Sequence, residues 1–169
     1  MIAGERLYPE GAVNFTLAEQ RRFYDSYCAH FRKPRPEGVG TNDFLVGSIP
    51  CRLYQLGQGK TFPVMLYLHG GGFVLGGLES HDDVCAEISD RANIAVVGVE
   101  YRLAPEYPFP AALDAAWAVL PHLAPRFRHL LFRCASAGGH PAAPLAHQAP
   151  SASPPQPPEP SRRHPRPGG

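Results

Sequence analysis

The sequence predicts an α/β fold in which flanking helices cover a mostly parallel sheet. Two short uncharged runs, Val64–Leu68 and "NIAVVGV" at 93–99, are typical of strands buried on both faces of a sheet. A helical pattern follows each run, and a third strand-like segment, "RHLLFRCAS", begins at Arg128. Strands and helices that alternate in this way form βαβ units, whose strands are parallel.

The first predicted element is a helix over residues 16–31, "TLAEQRRFYDSYCAHF". Thr16 with Glu19 three positions later is a capping-box arrangement, and the apolar residues that follow recur at helical spacing. The segment "KPRPEGVG" ends this helix because its prolines cannot continue it. We therefore expect residues 1–40 to form an N-terminal helical cap segment.

The middle of the chain supplies the elements that surround the two buried strands. "DFLVGSIPCRLYQL" predicts extended or hairpin structure, in which Pro50 lies at an edge or a turn because it lacks an N–H. We predict a helix that begins at Ser80 and has Asp83 at its third position. A further helix is predicted over 110–123, with a proline in its first turn.

The composition changes near the C-terminus. Ten of the 20 prolines follow Gly139, no aromatic residue follows Phe132, and Glu159 is the only acidic residue beyond Asp114. A segment of this composition cannot bury enough apolar surface to offset its ordering entropy. We therefore predict that residues 148–169 form a disordered, Pro-rich tail.

Charge and cysteine content exclude several functions. With 16 basic and 15 acidic residues, the net charge of +1 gives no basis for binding nucleic acid or a membrane surface. No segment approaches the roughly 20 apolar residues of a membrane span, and the N-terminus lacks the apolar stretch of a signal peptide. The four cysteines show no CxxC pairing, so no zinc site is predicted. We expect a cytoplasmic protein with free thiols and no metal.

The sequence "HGGGF" at 69–73, called the Gly loop below, directly follows the first buried strand. Three glycines allow a sharp turn that leaves backbone N–H groups pointing into a common space. Such a group of donors stabilises negative charge that develops on a carbonyl oxygen. The alternative is an ordinary Gly-rich turn between a strand and a helix.

Two segments, "LYLHGGGFVLGGLESHD" and "VVGVEYRLAPEYPFPAALDAAW", resemble the hormone-sensitive-lipase-like branch of the α/β-hydrolases, which includes bacterial acetyl esterases. The resemblance is specific over about residues 60–118. It implies that residues 41–147 form the N-terminal part of an α/β-hydrolase domain. It also implies a serine carboxylic-ester hydrolase that acts on small-molecule, short-chain acyl esters without a cofactor.

The resemblance also assigns site residues. Ser136 matches the nucleophile, because "CASAGG" at 134–139 stands where the family has Gly-Asp-Ser-Ala-Gly-Gly. The backbone N–H groups that match the oxyanion donors belong to Gly71, Gly72 and Ala137. The residues that match supports of the Gly loop are His69, Gly70, Arg102 and Glu106.

Two features put this assignment in question. Pro141 and Pro144 stand where a helix should follow the serine, and a proline in a helix interior costs about 3 kcal/mol. In this fold the acid and the histidine follow the serine along the chain. Here only Glu159 and three histidines, His140, His147 and His164, do so, and no strand pattern accompanies them.

Three alternatives follow. The chain is a truncated or frame-shifted, inactive relative of such an esterase, altered after about residue 118. Alternatively, Ser136 is a chance match in an Ala/Gly/Pro-rich tract, or the fold binds a small molecule without catalysis. A sheet that stops after its third buried strand would also expose an edge through which chains self-associate.

The remaining polar and aromatic residues have structural explanations. His81, Asp82 and Asp83 could form a metal cluster, but they lie at a predicted helix start, where carboxylates favour the helix dipole. We expect Trp117 to lie in the core.

Overall fold

The computed structural model describes residues 11–57, 63–127 and 129–135. The predictions that concern Ser136, Ala137, the prolines after them and the tail lie outside these residues, as do the first ten positions. The helices are α1 (Leu17–Phe31), α2 (Asp82–Ala92) and α3 (Ala111–Leu123), with 3₁₀ turns at Ala12–Asn14 and Glu79–His81. The strands are β1 (Val39–Val46), β2 (Ile49–Leu56), β3 (Val64–Leu68), β4 (Ala95–Val99) and β5 (Leu130–Cys134).

The described strands form one mixed sheet in the order β1-β2-β4-β3-β5. The pairs β3–β4 and β3–β5 are parallel, which confirms the predicted βαβ units. The pairs β1–β2 and β2–β4 are antiparallel, and β1 and β2 form the predicted hairpin. The prediction that Pro50 lies at an edge or a turn is wrong, because Pro50 is the second residue of β2, which lies between β1 and β4. Its carbonyl accepts a hydrogen bond from Glu100 N–H (2.9 Å).

Both faces of the sheet are covered, which explains why β3 and β4 carry no charge. On one face, Leu66, Leu68 and Val97 pack with the buried residues of α3, and the partly buried Trp117 lies against this cluster. On the other face, Tyr67 packs with Cys85 of α2 in a second cluster. Apolar residues are thus required at successive positions along these strands, and the period-2 alternation of a half-exposed strand is lost.

The start of one helix agrees with the sequence, and the starts of the other two lie later than predicted. Thr16 caps α1 with the predicted capping box, in which Thr16 N–H donates to the Glu19 carboxylate (2.8 Å). Pro110 is the N-cap of α3, so this helix begins at Ala111, one residue later than predicted. The prediction that α2 begins at Ser80 is wrong, because the Ser80 hydroxyl binds Gly77 and the α-helix starts only at Asp82.

Among the described residues, none of the helices has the length and apolar character needed to cross a bilayer.

Candidate active site

The Gly loop begins at the carboxyl end of β3, next to the carboxyl end of β5. Leu68 pairs with Cys134, and Ala135 N–H donates a hydrogen bond to Leu68 O (3.1 Å). Ser136 is the next residue of the sequence after Ala135. The chain therefore reaches its candidate nucleophile from the same sheet edge at which the Gly loop begins, which is where open α/β sheets bind their ligands.

The loop needs glycine at position 71. Gly71 has φ +117°, and a Cβ there would lie 2.2 Å from Leu75 O. The tightness arises because Gly71 O accepts hydrogen bonds from Val74 N–H (3.1 Å) and Leu75 N–H (2.9 Å), which close the turn. Gly72 also has a positive φ, +64°, but a Cβ there would meet no atom within 4 Å. The backbone therefore turns tightly at Gly71 and stays open at Gly72.

The three glycine N–H groups have different environments. Gly70 is buried, and its N–H donates to Nε2 of His81 (3.3 Å). Within the described part of the chain, the N–H groups of Gly71 and Gly72 donate no hydrogen bond, and Gly72 is exposed. The loop therefore has two adjacent N–H groups that are without an acceptor among the described residues, and adjacent free donors of this kind can bind an oxyanion.

His69 holds the inner side of the loop. Its Nδ1–H donates to Gly70 O (2.8 Å), and its ring stacks on Tyr101, with the two centroids 4.1 Å apart. The Tyr101 hydroxyl donates to His69 O (2.7 Å). Burial lowers the pKa of His69 to about 4, so the ring is neutral at pH 7. Its Nε2 has no hydrogen-bond partner among the described residues.

Arg21 of α1 holds the outer side of the loop. Its Nε donates to Val74 O (2.9 Å) and its Nη2 donates to Ala104 O (2.8 Å). The same guanidinium binds both carboxylate oxygens of Glu106, at 2.8 and 2.7 Å. The hydrogen bond from Arg21 lowers the pKa of Glu106 to about 2. Arg21 thus joins the end of the Gly loop to the segment "YRLAPE" at 101–106.

Arg102 and Glu106, which the resemblance matches to supports of the Gly loop, do not contact the loop directly in the described residues. Glu106 binds Arg21 and reaches the loop through it. The exposed guanidinium of Arg102 lies over the ring of Tyr107, 4.6 Å from its centroid. In the described ranges Arg102 makes no hydrogen bond to the Gly loop. The direct link between loop and segment is instead the hydrogen bond from Ala104 N–H to Phe73 O (2.8 Å).

Sequence reasoning missed Arg21. It is one of two adjacent arginines on an amphipathic helix, and nothing in the local pattern distinguishes it from the exposed Arg22. Its partners lie 53 to 85 residues away along the chain. Contacts between residues so far apart in the chain produce no periodic pattern or motif spacing in the sequence by which Arg21 could be recognised.

The cluster at the start of α2 has a structural explanation. Asp82 is buried, and its carboxylate accepts hydrogen bonds from Arg35, Arg52 and the Tyr54 hydroxyl. Hydrogen bonds from Arg35, Tyr54 and Arg52 outweigh the effect of burial, so the pKa of Asp82 is lowered. In the ranges that the structure describes, no three His, Cys, Asp or Glu side chains are placed to hold a metal ion.

A groove of about 420 Å³ lies beside the Gly loop, between α1 and Leu75. Phe15, Phe23, Tyr24 and Tyr27 contribute aromatic rings to its lining. An apolar groove of this size is typical of a site for a small organic group.

Comparison with known proteins identifies the family. The sequence profile of the α/β-hydrolase fold matches residues 65–163, which is more than half of the chain. The chain therefore belongs to the α/β-hydrolase fold family. The resemblance to the hormone-sensitive-lipase-like branch, which rests on the Gly loop and the "YRLAPE" segment, is confirmed.

Esterases of Mycobacterium tuberculosis are among the curated relatives. The chain is 48% identical over 94 residues to the esterase LipI of Mycobacterium tuberculosis, a match that covers 52% of this chain and 29% of LipI. It is 39% identical over 111 residues to the carboxylic ester hydrolase LipN of the same organism, covering 63% of this chain and 29% of LipN. The chain thus spans less than a third of the length of these relatives.

Solved structures show the same relationship. The esterase of the hyperthermophilic archaeon Pyrobaculum calidifontis superimposes with a TM-score of 0.76 at 30% identity, over 88% of this chain and 52% of that one. An esterase of the bacterial hormone-sensitive lipase family superimposes with a TM-score of 0.71 at 30% identity, over 82% of this chain and 46% of that one. The chain corresponds to about half of each enzyme.

Proposed function

We propose that the chain is a serine carboxylic-ester hydrolase for small, short-chain acyl esters. Ser136 attacks the ester carbonyl, and the N–H groups of Gly71, Gly72 and Ala137 bind the resulting oxyanion. The observation that carries the proposal is a pair of N–H groups, at Gly71 and Gly72, that have no acceptor among the described residues. They follow β3, which is paired with the strand that leads to Ser136. The esterase relatives support the reaction type.

The proposed reaction uses a serine, backbone donors and water, and it needs no cofactor. Attack by the Ser136 oxygen forms a tetrahedral intermediate, whose collapse releases the alcohol and leaves an acyl-serine that water hydrolyses. Each oxyanion donor contributes about 10²- to 10³-fold to such a step. In this fold the base that takes the serine proton, and the acid that orients this base, follow the serine along the chain. Beyond Ser136 the sequence has no aspartate, and no strand pattern presents its three histidines, so the chain has no identifiable acid or base.

The groove beside the loop supports the substrate class. Its lining includes Leu75, whose N–H donates to Gly71 O, so the groove adjoins the segment that closes the Gly loop. Its aromatic lining favours apolar acyl groups.

Covalent labelling tests the nucleophile. The full chain is treated with a fluorophosphonate probe, and hydrolysis of p-nitrophenyl acetate is measured in parallel. We expect labelling and hydrolysis in the native chain and in the control S153A, and neither in S136A. Labelling that survives in S136A would reject Ser136 as the nucleophile. Absence of both labelling and hydrolysis from the native chain would reject catalysis and favour an inactive or ligand-binding α/β-hydrolase.

A further inference from the structure

We propose that His81 is a positioning residue for the Gly loop. Its Nε2 accepts the Gly70 N–H and, together with the His69 bond to Gly70 O, holds Gly70 so that the N–H of Gly71 keeps its direction. This role requires a neutral ring that carries its proton on Nδ1. The catalytic consequence rests on the proposed esterase function, whereas the geometry and its test do not.

The hydrogen bonds around Ser80 assign the tautomer of His81. Ser80 Oγ accepts the Gly77 N–H (2.9 Å) and donates its only proton to Gly77 O (3.0 Å). The contact between Ser80 Oγ and His81 Nδ1 (2.9 Å) must therefore be a hydrogen bond that Nδ1–H donates. In a neutral ring the proton on Nδ1 leaves Nε2 as an acceptor, and Gly70 N–H fills that position.

Gly70 is held on both of its polar groups. Its O accepts from Nδ1 of His69, and its N–H donates to Nε2 of His81. The rings of His69 and His81 lie with their centroids 5.6 Å apart, and each binds one backbone polar group of Gly70 on the inner side of the loop. The Gly71 N–H lies in the same peptide plane as Gly70 O, so rotation of the backbone at Gly70 would break one or both bonds and redirect that N–H. The Gly72 N–H shares its peptide plane with Gly71 O, which accepts hydrogen bonds from the N–H groups of Val74 and Leu75.

The position of His81 is itself fixed. It immediately precedes Asp82, whose buried carboxylate is bound by Arg35 and Arg52 at the start of α2. Burial lowers the pKa of His81, which keeps its ring neutral near pH 7 and its Nε2 free of a proton. A protonated ring would present an N–H to the N–H of Gly70, and no hydrogen bond could form between two donors.

The first experiment observes the native chain directly. The full chain is labelled with ¹⁵N-histidine, and long-range ¹H–¹⁵N spectra at pH 7 distinguish protonated from unprotonated ring nitrogens. We expect His81, assigned by its loss in H81Q, to show protonated Nδ1 and unprotonated Nε2. A protonated Nε2 at pH 7 would overturn the proposal. The spectra are those of the native chain, and the conservative variant H81Q is needed only to assign the His81 signals.

Amide exchange then tests the bond to Gly70. In H81F a ring of similar size lacks the acceptor, and we expect the Gly70 amide to exchange at least about tenfold faster than in the native chain. In H81Q the side-chain carbonyl replaces Nε2, and we expect protection to return to within about threefold of the native value. Unchanged exchange in H81F, with the rest of the sheet equally protected, would overturn the proposal.

Kinetics separate positioning from simple stabilisation. We expect H81F to lower kcat for p-nitrophenyl acetate by about 10- to 100-fold while KM stays within about twofold, because misdirected donors affect the oxyanion more than the bound ester. H81Q should restore most of kcat. If the native chain hydrolyses no ester but shows the predicted tautomer and amide exchange, the esterase proposal fails and the positioning by His81 stands.

Discussion

The Gly loop is supported differently on its two sides. On the inner side, His69, His81 and Tyr101 hold it by hydrogen bonds between buried or half-buried neutral groups. On the outer side, Arg21 holds it through an ion pair with Glu106, whose side chain is 50% exposed, and through two carbonyl oxygens. Loss of a buried partner leaves a desolvated group unpaired, whereas water replaces an exposed one. The inner side should therefore dominate the stability of the loop.

The largest effect is expected inside the turn itself. Replacing Gly71 with Ala would place a Cβ 2.2 Å from Leu75 O at a φ of +117°. We expect G71A to lower the free energy of unfolding by about 3 kcal/mol, because the turn must open to accept the methyl group. Urea denaturation followed by circular dichroism measures the loss.

Gly72 provides the matched control for this substitution. It too has a positive φ, but its Cβ would meet no atom within 4 Å. We expect G72A to cost only about 1 kcal/mol, the backbone penalty alone. Equal losses in the two variants would show that the turn is not closed onto Leu75 as the structure has it.

A smaller loss of folding stability is expected at low pH, where the buried His69 on the inner side of the loop resists protonation. His69 has a folded-state pKa of about 4, below its ordinary value of 6.5, because it is buried. Between these values the unfolded chain binds a proton that the folded chain does not, so the folded state loses stability as the pH falls from 6.5 to 4. The loss from this residue is about 2–3 kcal/mol and is absent above pH 6.5.

The comparison of H69Q with H30Q isolates this contribution. Glutamine at position 69 does not titrate, so H69Q should lose stability less steeply than the native chain between pH 6.5 and 4. H30Q, at an exposed position on α1, is the control for the substitution of histidine by glutamine itself. Parallel pH profiles of H69Q and the native chain would contradict the burial of this ring in a neutral form.

The smallest effect is expected on the outer side. R21A removes an exposed ion pair and two hydrogen bonds to carbonyl oxygens, and it should lower the melting temperature by about 2–4 °C. The difference from the native chain should shrink in high salt, because salt screens the ion pair. R22A, on the exposed side of the same helix, should change neither the melting temperature nor its dependence on salt. A loss of stability in R21A larger than that in G71A would show that the outer contacts, and not the tight turn, dominate the stability of the loop.

The sequence predicted those parts of the site that depend on local patterns. The strands β3 and β4 are uncharged because both of their faces are covered, and the Gly loop follows from three consecutive glycines directly after a strand. Both signals are contained within a few residues, so they could be detected without knowledge of the fold. The capping box at Thr16 is of the same kind.

The supports of the loop could not be predicted in this way. Arg21 is 85 residues from Glu106, and only the packed fold brings them together. His81 was interpreted with Asp82 as part of a helix start, which explains Asp82 but overlooks the bond from Gly70. That bond joins residues 11 positions apart, and no periodicity or motif in the sequence marks it. Ser80 binds Gly77, three residues earlier, and the α-helix begins two residues later than predicted, at Asp82.

The most direct measurement follows the Gly70, Gly71 and Gly72 amides of the ¹⁵N-labelled full chain before and after reaction with an alkyl fluorophosphonate. The phosphonyl oxygen of a Ser136 adduct stands in for the oxyanion of the ester intermediate. We predict that the amide protons of Gly71 and Gly72 move downfield as they donate to this oxygen, while Gly70 stays bonded to His81 and does not move. An adduct that leaves Gly71 and Gly72 unshifted, or that shifts Gly70 instead, would contradict the assignment of the Gly loop as the oxyanion site.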